Sequence, residues 1–473
     1  ETMKYIFIII SLTFCSHSYS SNETFTVGNT NFIHLINEDS IWWFEDHLNK
    51  KFITTGMNHV DEGPILFNEI NKSWMKKKFG DDIQSSWGGL NPKATNISAF
   101  ADMVVDDFKN YGFNTIPFHS YTVPLQLYEE RKIYYIAKIK VQQICLTHMK
   151  RENGERFPDV FSSSFRNKLD SLAKDICSPL KDAKYLIGYT FFDMPDLKSI
   201  RPFQKKKFKD NGLIYPWVQD LRALPAESSG KQKWIEILKK NHSDAFTAGQ
   251  VYGFNEIESW SELSSSTNWP TNPNNPSLAL KDAEEMFTLI AQEWYRLHHA
   301  AIKRYDPNHL ILGDKHDVGY GNNVHKIPDG VLSAIGTFTD VLMIQSYTHY
   351  GAHHQLMLNE LYEKCGIPII NGDHSFSCSH EHQSKTKGIK CSSQKEVANA
   401  YYTYMKNITQ KHPFMLGWWH CGYIEQWAPA GSHLGQQCGF FSPFGEPRTD
   451  LLPLVKEANE KAVLWHQNSN HTE

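Results

Sequence analysis

The sequence lacks several things that would narrow its function quickly. Beyond its first residues it has no run of about 18 or more apolar residues, so no membrane-crossing helix is expected and the chain is not expected to insert into a bilayer. Charge of one sign is also missing: 48 Lys and Arg stand against 52 Asp and Glu, for a formal net charge of −4. These charges are scattered, so no basic face for nucleic acid stands out. No HExxH or comparable short His/Asp spacing occurs, which argues against a metal centre, and no nucleotide-binding signature or other cofactor motif is found. There is no repeat of 20 to 50 residues and no low-complexity block. Cysteine is sparse, at eight in 473 residues, too few for a fold stapled by disulfides alone.

What is present is apolar and aromatic. A hydrophobic share of 40% with 13% aromatics supplies a large core, enough for one barrel or two ordinary domains. Residues Met3 to Ser20 read MKYIFIIISLTFCSHSYS, a lysine followed by a short apolar stretch and small polar residues. That layout predicts a signal peptide at 3–20, a mature chain from about Ser21 and a secreted, extracellular protein. Without Cys15, seven cysteines remain, allowing up to three disulfides: Cys378 with Cys391, Cys421 with Cys438 and Cys145 with Cys177 are the expected pairs. Six Asn-x-Ser/Thr sequons, at Asn22, Asn71, Asn96, Asn241, Asn407 and Asn470, fit a glycoprotein.

Residues 21–50 read as an N-terminal β-hairpin leading into residues 51–464, with a polar tail at 465–473. Across 51–464, short apolar strands ending in polar residues alternate with longer segments of helical period, the pattern of a parallel sheet wrapped by helices. Eight strands are predicted: Phe52–His59, Thr115–Tyr121, Tyr134–Gln143, Leu186–Asp193, Leu310–His316, Val341–Thr348, Pro368–Ser375 and Phe414–Cys421. Eight is the number that closes a (β/α)8, or TIM, barrel, so the fold class is α/β. Helices are expected at Ile97–Asn110, Phe165–Ile176, Ala283–Tyr305, Gln355–Lys364 and Gln394–Lys411. A long insertion at about 199–277 follows strand four, with a helix near Lys231–Lys240, and would wall or cover the mouth of the barrel.

The strand ends carry the chemistry. His59 and Asp61 follow strand one, His119 strand two, and Asp193 and Asp196 strand four; Asp314 and His316 belong to strand five, Gln345 and Tyr347 to strand six. Asp373 ends strand seven, while Trp418, Trp419 and His420 end strand eight, with Glu425 in the loop beyond. Aromatic faces pack on pyranose rings while carboxylates and imidazoles bond the hydroxyls, so this mixture predicts a polysaccharide or oligosaccharide ligand. Hydrolysis of a glycosidic bond needs two flanking carboxyl groups, and the ends of strands four and seven lie across the barrel mouth from each other. Asp193 or Asp196 would supply one carboxyl and Asp373 the other.

The blocks GMNHVDEG (Gly56–Gly63), GFNTIPFHSY (Gly112–Tyr121), RFPDVFSSSF (Arg156–Phe165), LIGYTFFDMPDL (Leu186–Leu197), YDPNHLILGDKHD (Tyr305–Asp317), DVLMIQSY (Asp340–Tyr347), PIINGDHSF (Pro368–Phe376) and GWWHCGYIEQW (Gly417–Trp427) resemble, in order and spacing, the agarase-like branch of the retaining (β/α)8 glycoside hydrolase clan. The resemblance runs from about Glu38 to Leu464. It implies an acid/base after strand four, a nucleophile after strand seven and an agarose- or galactan-like substrate. The sequence departs from that pattern at both positions: the Asn-Glu pair after strand four reads Asp193-Met194-Pro195-Asp196, and the glutamate after strand seven is Asp373.

Each of these residues also has a structural alternative. Asp373 could cap a turn or pair with a neighbouring Arg or Lys, Asp193 could form an Asx turn before Pro195, Asp314 could pair with Lys315 or another base at the barrel mouth, and His59, His119 and His316 could be core histidines bonded to carbonyls. Trp418 and Trp419 are adjacent, so one should face the lumen and the other the helical shell. Glu425 is a reserve carboxylate, whereas Glu256 and Glu258 lie in GFNEIESWSEL, whose Ile257, Trp260, Leu263 spacing reads as a helix face. The expectation is a secreted glycoside hydrolase, with a non-catalytic carbohydrate-binding barrel of the same descent as the alternative; oligomeric state is not legible.

Overall fold

The structure, a computed structural model, describes residues 24–61, 72–86, 88–120, 122–141, 157–193, 215–270, 272–320, 327–378, 388–425 and 438–469. Eight parallel strands close a barrel: β1 (Thr54–Met57), β2 (Thr115–Ile116), β3 (Tyr134–Lys138), β4 (Leu186–Asp193), β5 (Leu310–Tyr320), β6 (Leu342–Tyr347), β7 (Ile369–His374) and β8 (Met415–His420). The ring runs β1 through β8 in chain order, and β8 returns to β1. Each strand is covered on both faces, which is why LIGYTFF in β4 is buried throughout and reads as a continuous apolar run. β2 is the shortest, because Pro117 has no N–H with which to continue the ladder.

A helix follows every strand. Helix Ile97–Asn110 buries Phe100, Ala101, Val104, Val105 and Phe108, a 3.6-residue stripe facing the barrel. Helix Gln394–Lys411 does the same with Val397, Ala398, Tyr401, Tyr404, Met405 and Ile408, and Ser393 caps its start by accepting from the Glu396 N–H at 3.2 Å. Helices Asp329–Phe338 and Leu452–Gln467 complete the ring after β5 and β8.

Helix Pro276–Tyr305 is about 45 Å long at 1.5 Å per residue, much longer than any barrel strand. Trp294 and Tyr295 meet Asp314 and His316 of β5, so the first turns project past the carboxyl ends of the strands. On that projecting part sit the described insertion helices Pro216–Arg222, Ser229–Asn241 and Ala245–Tyr252. Trp217 packs on Trp294, and Asp282 takes hydrogen bonds from Asn241, His242 and Tyr252. The described insertion therefore flanks the mouth, attached to the side of one helix. Trp260–Ser265 is the helix foreseen from its spacing, closed by a Ser259–Glu262 capping box.

The chain ahead of the barrel forms more than a hairpin. Strands Phe25–Val27, His34–Glu38, Ile41–Glu45 and Lys51–Phe52 make a four-stranded antiparallel sheet under the amino ends of the barrel strands. The Tyr134 hydroxyl donates to Asp46 at 2.7 Å, the Lys184 ammonium to the Asn31 carbonyl at 2.9 Å, and the Trp42 N–H to the Pro413 carbonyl at 2.8 Å. His466, in the last helix, bonds the Trp42 carbonyl at 2.8 Å.

The described cysteines are thiols, all buried: Cys177, Cys365, Cys378, Cys391, Cys421 and Cys438. Cys378 with Cys391 and Cys421 with Cys438, expected from spacing as disulfides, are therefore not bonded. Cys378 and Cys391 do stand opposite each other on paired strands, and Cys421 and Cys438 share an apolar cluster with Tyr347; Cys145 lies outside the described residues. Of the sequons, Asn96, Asn241 and Asn407 are described, and each donates a hydrogen bond from the amide nitrogen that would carry a glycan. No helix among the described residues is long and apolar enough to cross a membrane.

Gly417 shows how tightly β8 closes on β1. Its φ of 123° is open to glycine, and a Cβ there would stand 1.9 Å from the Thr54 carbonyl oxygen. Gly417→Ala should therefore destabilise the barrel by about 3 kcal/mol or more, read as a lowered midpoint in urea unfolding.

Candidate active site

At the carboxyl end of the barrel, Lys315 of β5 occupies the centre. A lysine is buried only when paired, and this one meets two carboxylates and an imidazole. Its ammonium donates to Asp373 Oδ2 at 2.8 Å, approaches His119 Nε2 at 3.0 Å and lies 3.1 Å from Asp193 Oδ1. β4, β5 and β7 thus each bring one residue to a single point. Asp193 is the most open of the three, at 23% exposure against 0% for Lys315 and 4% for Asp373.

The surroundings hold these groups in place. Asn58, after β1, donates to the Gly372 carbonyl at 2.8 Å and to Asp373 Oδ1 at 3.3 Å. His59 adopts a left-handed backbone (φ 60°) that lays its ring on His119, centroids 4.5 Å apart at 24°. His119 Nε2 is 3.5 Å from Asp193 and 3.8 Å from Asp373. Phe118 lies beneath, with the Lys315 and Lys138 ammoniums 4.8 and 5.4 Å from its ring centre. Trp419 faces the lumen, donating to the Thr54 hydroxyl at 2.8 Å, whereas Trp418 packs outward among Tyr401 and Tyr404.

Electrostatics follow from this arrangement. Burial alone would push the Asp193 pKa up, but the Lys315 and Lys138 charges outweigh it and hold the carboxyl below its ordinary range. Burial would likewise lower Lys315, and Asp193 with Asp373 reverses that, keeping the ammonium protonated.

The other expected site residues are placed elsewhere. Asp61 accepts from Ser120 Oγ and the Thr122 and Val123 N–H groups, tying the β1 loop to the β2 loop. Asp314 points away from Lys315, accepting from the Phe192 N–H at 2.8 Å and the Trp294 indole at 2.9 Å, and His316 meets the Tyr295 hydroxyl at 2.9 Å. His420 bonds the Cys438 carbonyl and stacks on Phe440; Glu425 is ion-paired with Arg448. Gln345 is buried on β6 in register with Asp317 and Asp373, and Tyr347 lies edge-on to His374. Asp196 is outside the described residues. Lys315, Asn58, Phe118 and Lys138 are the participants that sequence reasoning did not select. The signal for Lys315 was available: a lysine inside an apolar strand, alternating with Asp314 and His316, must face the opposite side from them.

Burial raises the Asp314 pKa to about 6. A carboxyl whose folded value exceeds its unfolded one favours the folded state in its protonated form, so this contribution falls away as pH rises from the ordinary carboxylate range to about 6. Thermal melts should show that loss, and Asp314→Asn should flatten it.

A groove of about 590 Å³ between helices Ser163–Cys177, Pro276–Tyr305 and Asp329–Phe338, lined by Arg166, Glu293, Arg296 and Phe338, lies on the outer shell and shares no residue with this cluster.

No protein-family model matches the sequence. The chain is similar to beta-agarase B of Vibrio sp. (strain JT0107), 22% identical over 395 residues, which are 82% of this chain and 38% of that protein; it thus spans well under half of that relative's length. Its fold is similar to that of a protein designated PfGH50B (TM-score 0.73, 17% identity, 95% of this chain and 68% of the other). It is also similar to an exo-beta-agarase (TM-score 0.70, 15% identity, 93% of this chain and 66% of the other). The agarase-like resemblance of the sequence and the barrel fold therefore agree.

Proposed function

We propose that the protein is a secreted glycoside hydrolase that cleaves glycosidic bonds in an agarose- or galactan-like polysaccharide, with Asp193 and Asp373 as its paired carboxylates. The observation that carries this reading is the meeting of those two carboxylates, from strands on opposite sides of the ring, at one point of the mouth. Their nearest oxygens both contact one ammonium, at 3.1 and 2.8 Å. They therefore lie closer together than the roughly 6.5–9.5 Å of inverting enzymes and suit retention. Asp373 would attack the anomeric carbon while Asp193 protonates the leaving oxygen and then activates water. Asp193 can donate that proton only after the bound sugar separates it from Lys315.

The same lysine favours a second reading, a carbohydrate-binding barrel of hydrolase descent, since an acid held ionised is a poor proton donor. Reducing-end release from agarose, other algal galactans and plant polysaccharides separates the two. Release with retained anomeric configuration supports the hydrolase; affinity without release in every sample leaves the binding barrel, and neither would sink both.

A further inference from the structure

We propose that His59, His119 and Asp373 form a binding site for a divalent transition-metal ion of borderline character, Zn²⁺ or Ni²⁺, in competition with the Lys315 ammonium. Each residue offers one ligand atom, and the three atoms lie within 4.8 Å of one another, all on buried side chains. Donors at about 2.0–2.2 Å from a shared ion stand at most about 4.4 Å apart, so small side-chain shifts close the set. Two imidazoles and one carboxylate are a donor set suited to these ions, and the coordination positions left over would face the mouth.

Independent features support a cation at this point. The ammonium of Lys315 lies within hydrogen-bond distance of two of the three residues, 2.8 Å from Asp373 and 3.0 Å from His119, so the pocket is already arranged around a positive charge. Asn58 donates to Asp373 Oδ1 and leaves Oδ2 directed at that charge, the orienting contact expected behind a ligating carboxylate. His59 keeps a left-handed backbone, a strained conformation for a non-glycine residue, and this brings its ring to His119. An ion entering must move the ammonium aside, so Lys315 limits affinity and its removal should raise it. The proposal does not depend on hydrolysis, because binding is measured without a polysaccharide.

The test is a titration of the full chain with Zn²⁺ against a chromophoric chelator, for the parent, Lys315→Met, His59→Asn and His119→Gln. Asparagine tolerates the left-handed backbone at position 59. Lys315→Met should bind at least about tenfold more tightly, and the two histidine variants at least about tenfold more weakly, than the parent. Unfolded chains expose cysteines that bind Zn²⁺ themselves, so the gain is read only on Lys315→Met shown to unfold cooperatively, and its loss in the Lys315→Met, His119→Gln double variant assigns it to this site. Equal affinity in Lys315→Met and parent, or binding unaltered in folded His59→Asn and His119→Gln, would overturn the proposal.

Discussion

Asp373→Asn should lower reducing-end release from agarose by at least about 10³-fold while leaving polysaccharide affinity within a few-fold of the parent. Asparagine nearly matches aspartate in size and still meets Asn58, so the wall of the site is kept. It cannot carry the negative charge that a nucleophile needs. Asp193→Asn should behave differently: substrates whose leaving group needs a proton slow strongly, and those with an activated aryl leaving group slow much less. The comparison requires folded proteins, because each change leaves Lys315 with one carboxylate in place of two. Comparable release from Asp373→Asn and parent would remove this carboxylate from the chemistry.

The second large effect belongs to Lys315. Replacing it with methionine leaves two buried carboxylates facing each other, and breaking a buried ion pair from one side typically costs about 3–5 kcal/mol. The pH dependence carries a sign. Asp193 has a folded pKa below its unfolded one, so its contribution is present above the ordinary carboxylate range and is lost as pH falls through the lowered value. Lys315 has a folded pKa above its unfolded one, so its contribution is present below the ordinary lysine range and lost only as pH rises through the raised value. The trio is therefore stabilising across the neutral range, and Lys315→Met should remove that plateau in urea unfolding followed against pH. It should also let Asp193, the proton donor, keep its proton to higher pH, moving the alkaline limb of the pH–rate profile upward. Unchanged stability across the range would show that the three groups do not act as one charge cluster.

Much of the fold was legible because the barrel is built from a repeated unit. Leu186–Asp193, Ile97–Asn110 and Gln394–Lys411 occur at the predicted bounds, each a segment whose apolar period is sustained. Strand ends were less legible. Pro117 stops β2 after two residues, while β5 continues to Tyr320, four residues past its expected end. The site was visible as a set of strand-end residues but not as an arrangement. Which side of a strand faces the lumen depends on register, and the ladders shift between Ile344 and Gln345 and between Asn371 and His374. Asp314 and His316 were selected for their chemistry, yet they share the outward face, and the residue between them holds the centre. Trp418 and Trp419 were correctly expected to diverge, but their directions needed Thr54 and Tyr401 in view.

The sheet beneath the barrel carries a consequence for how the molecule is made. Its aromatic strand IWWFE leaves the ribosome among the first described residues, yet Trp42 is completed by Pro413 and His466, and Trp43 by the His466 ring, from the far end of the chain. Until the last helix emerges, Trp43 lacks the His466 ring and the Trp42 carbonyl lacks its imidazole partner. Assembly is thus governed by contacts of very long sequence separation, which close late and slowly. Before that helix is made the chain carries an incompletely covered aromatic edge, the kind of surface that makes partly folded species prone to aggregate.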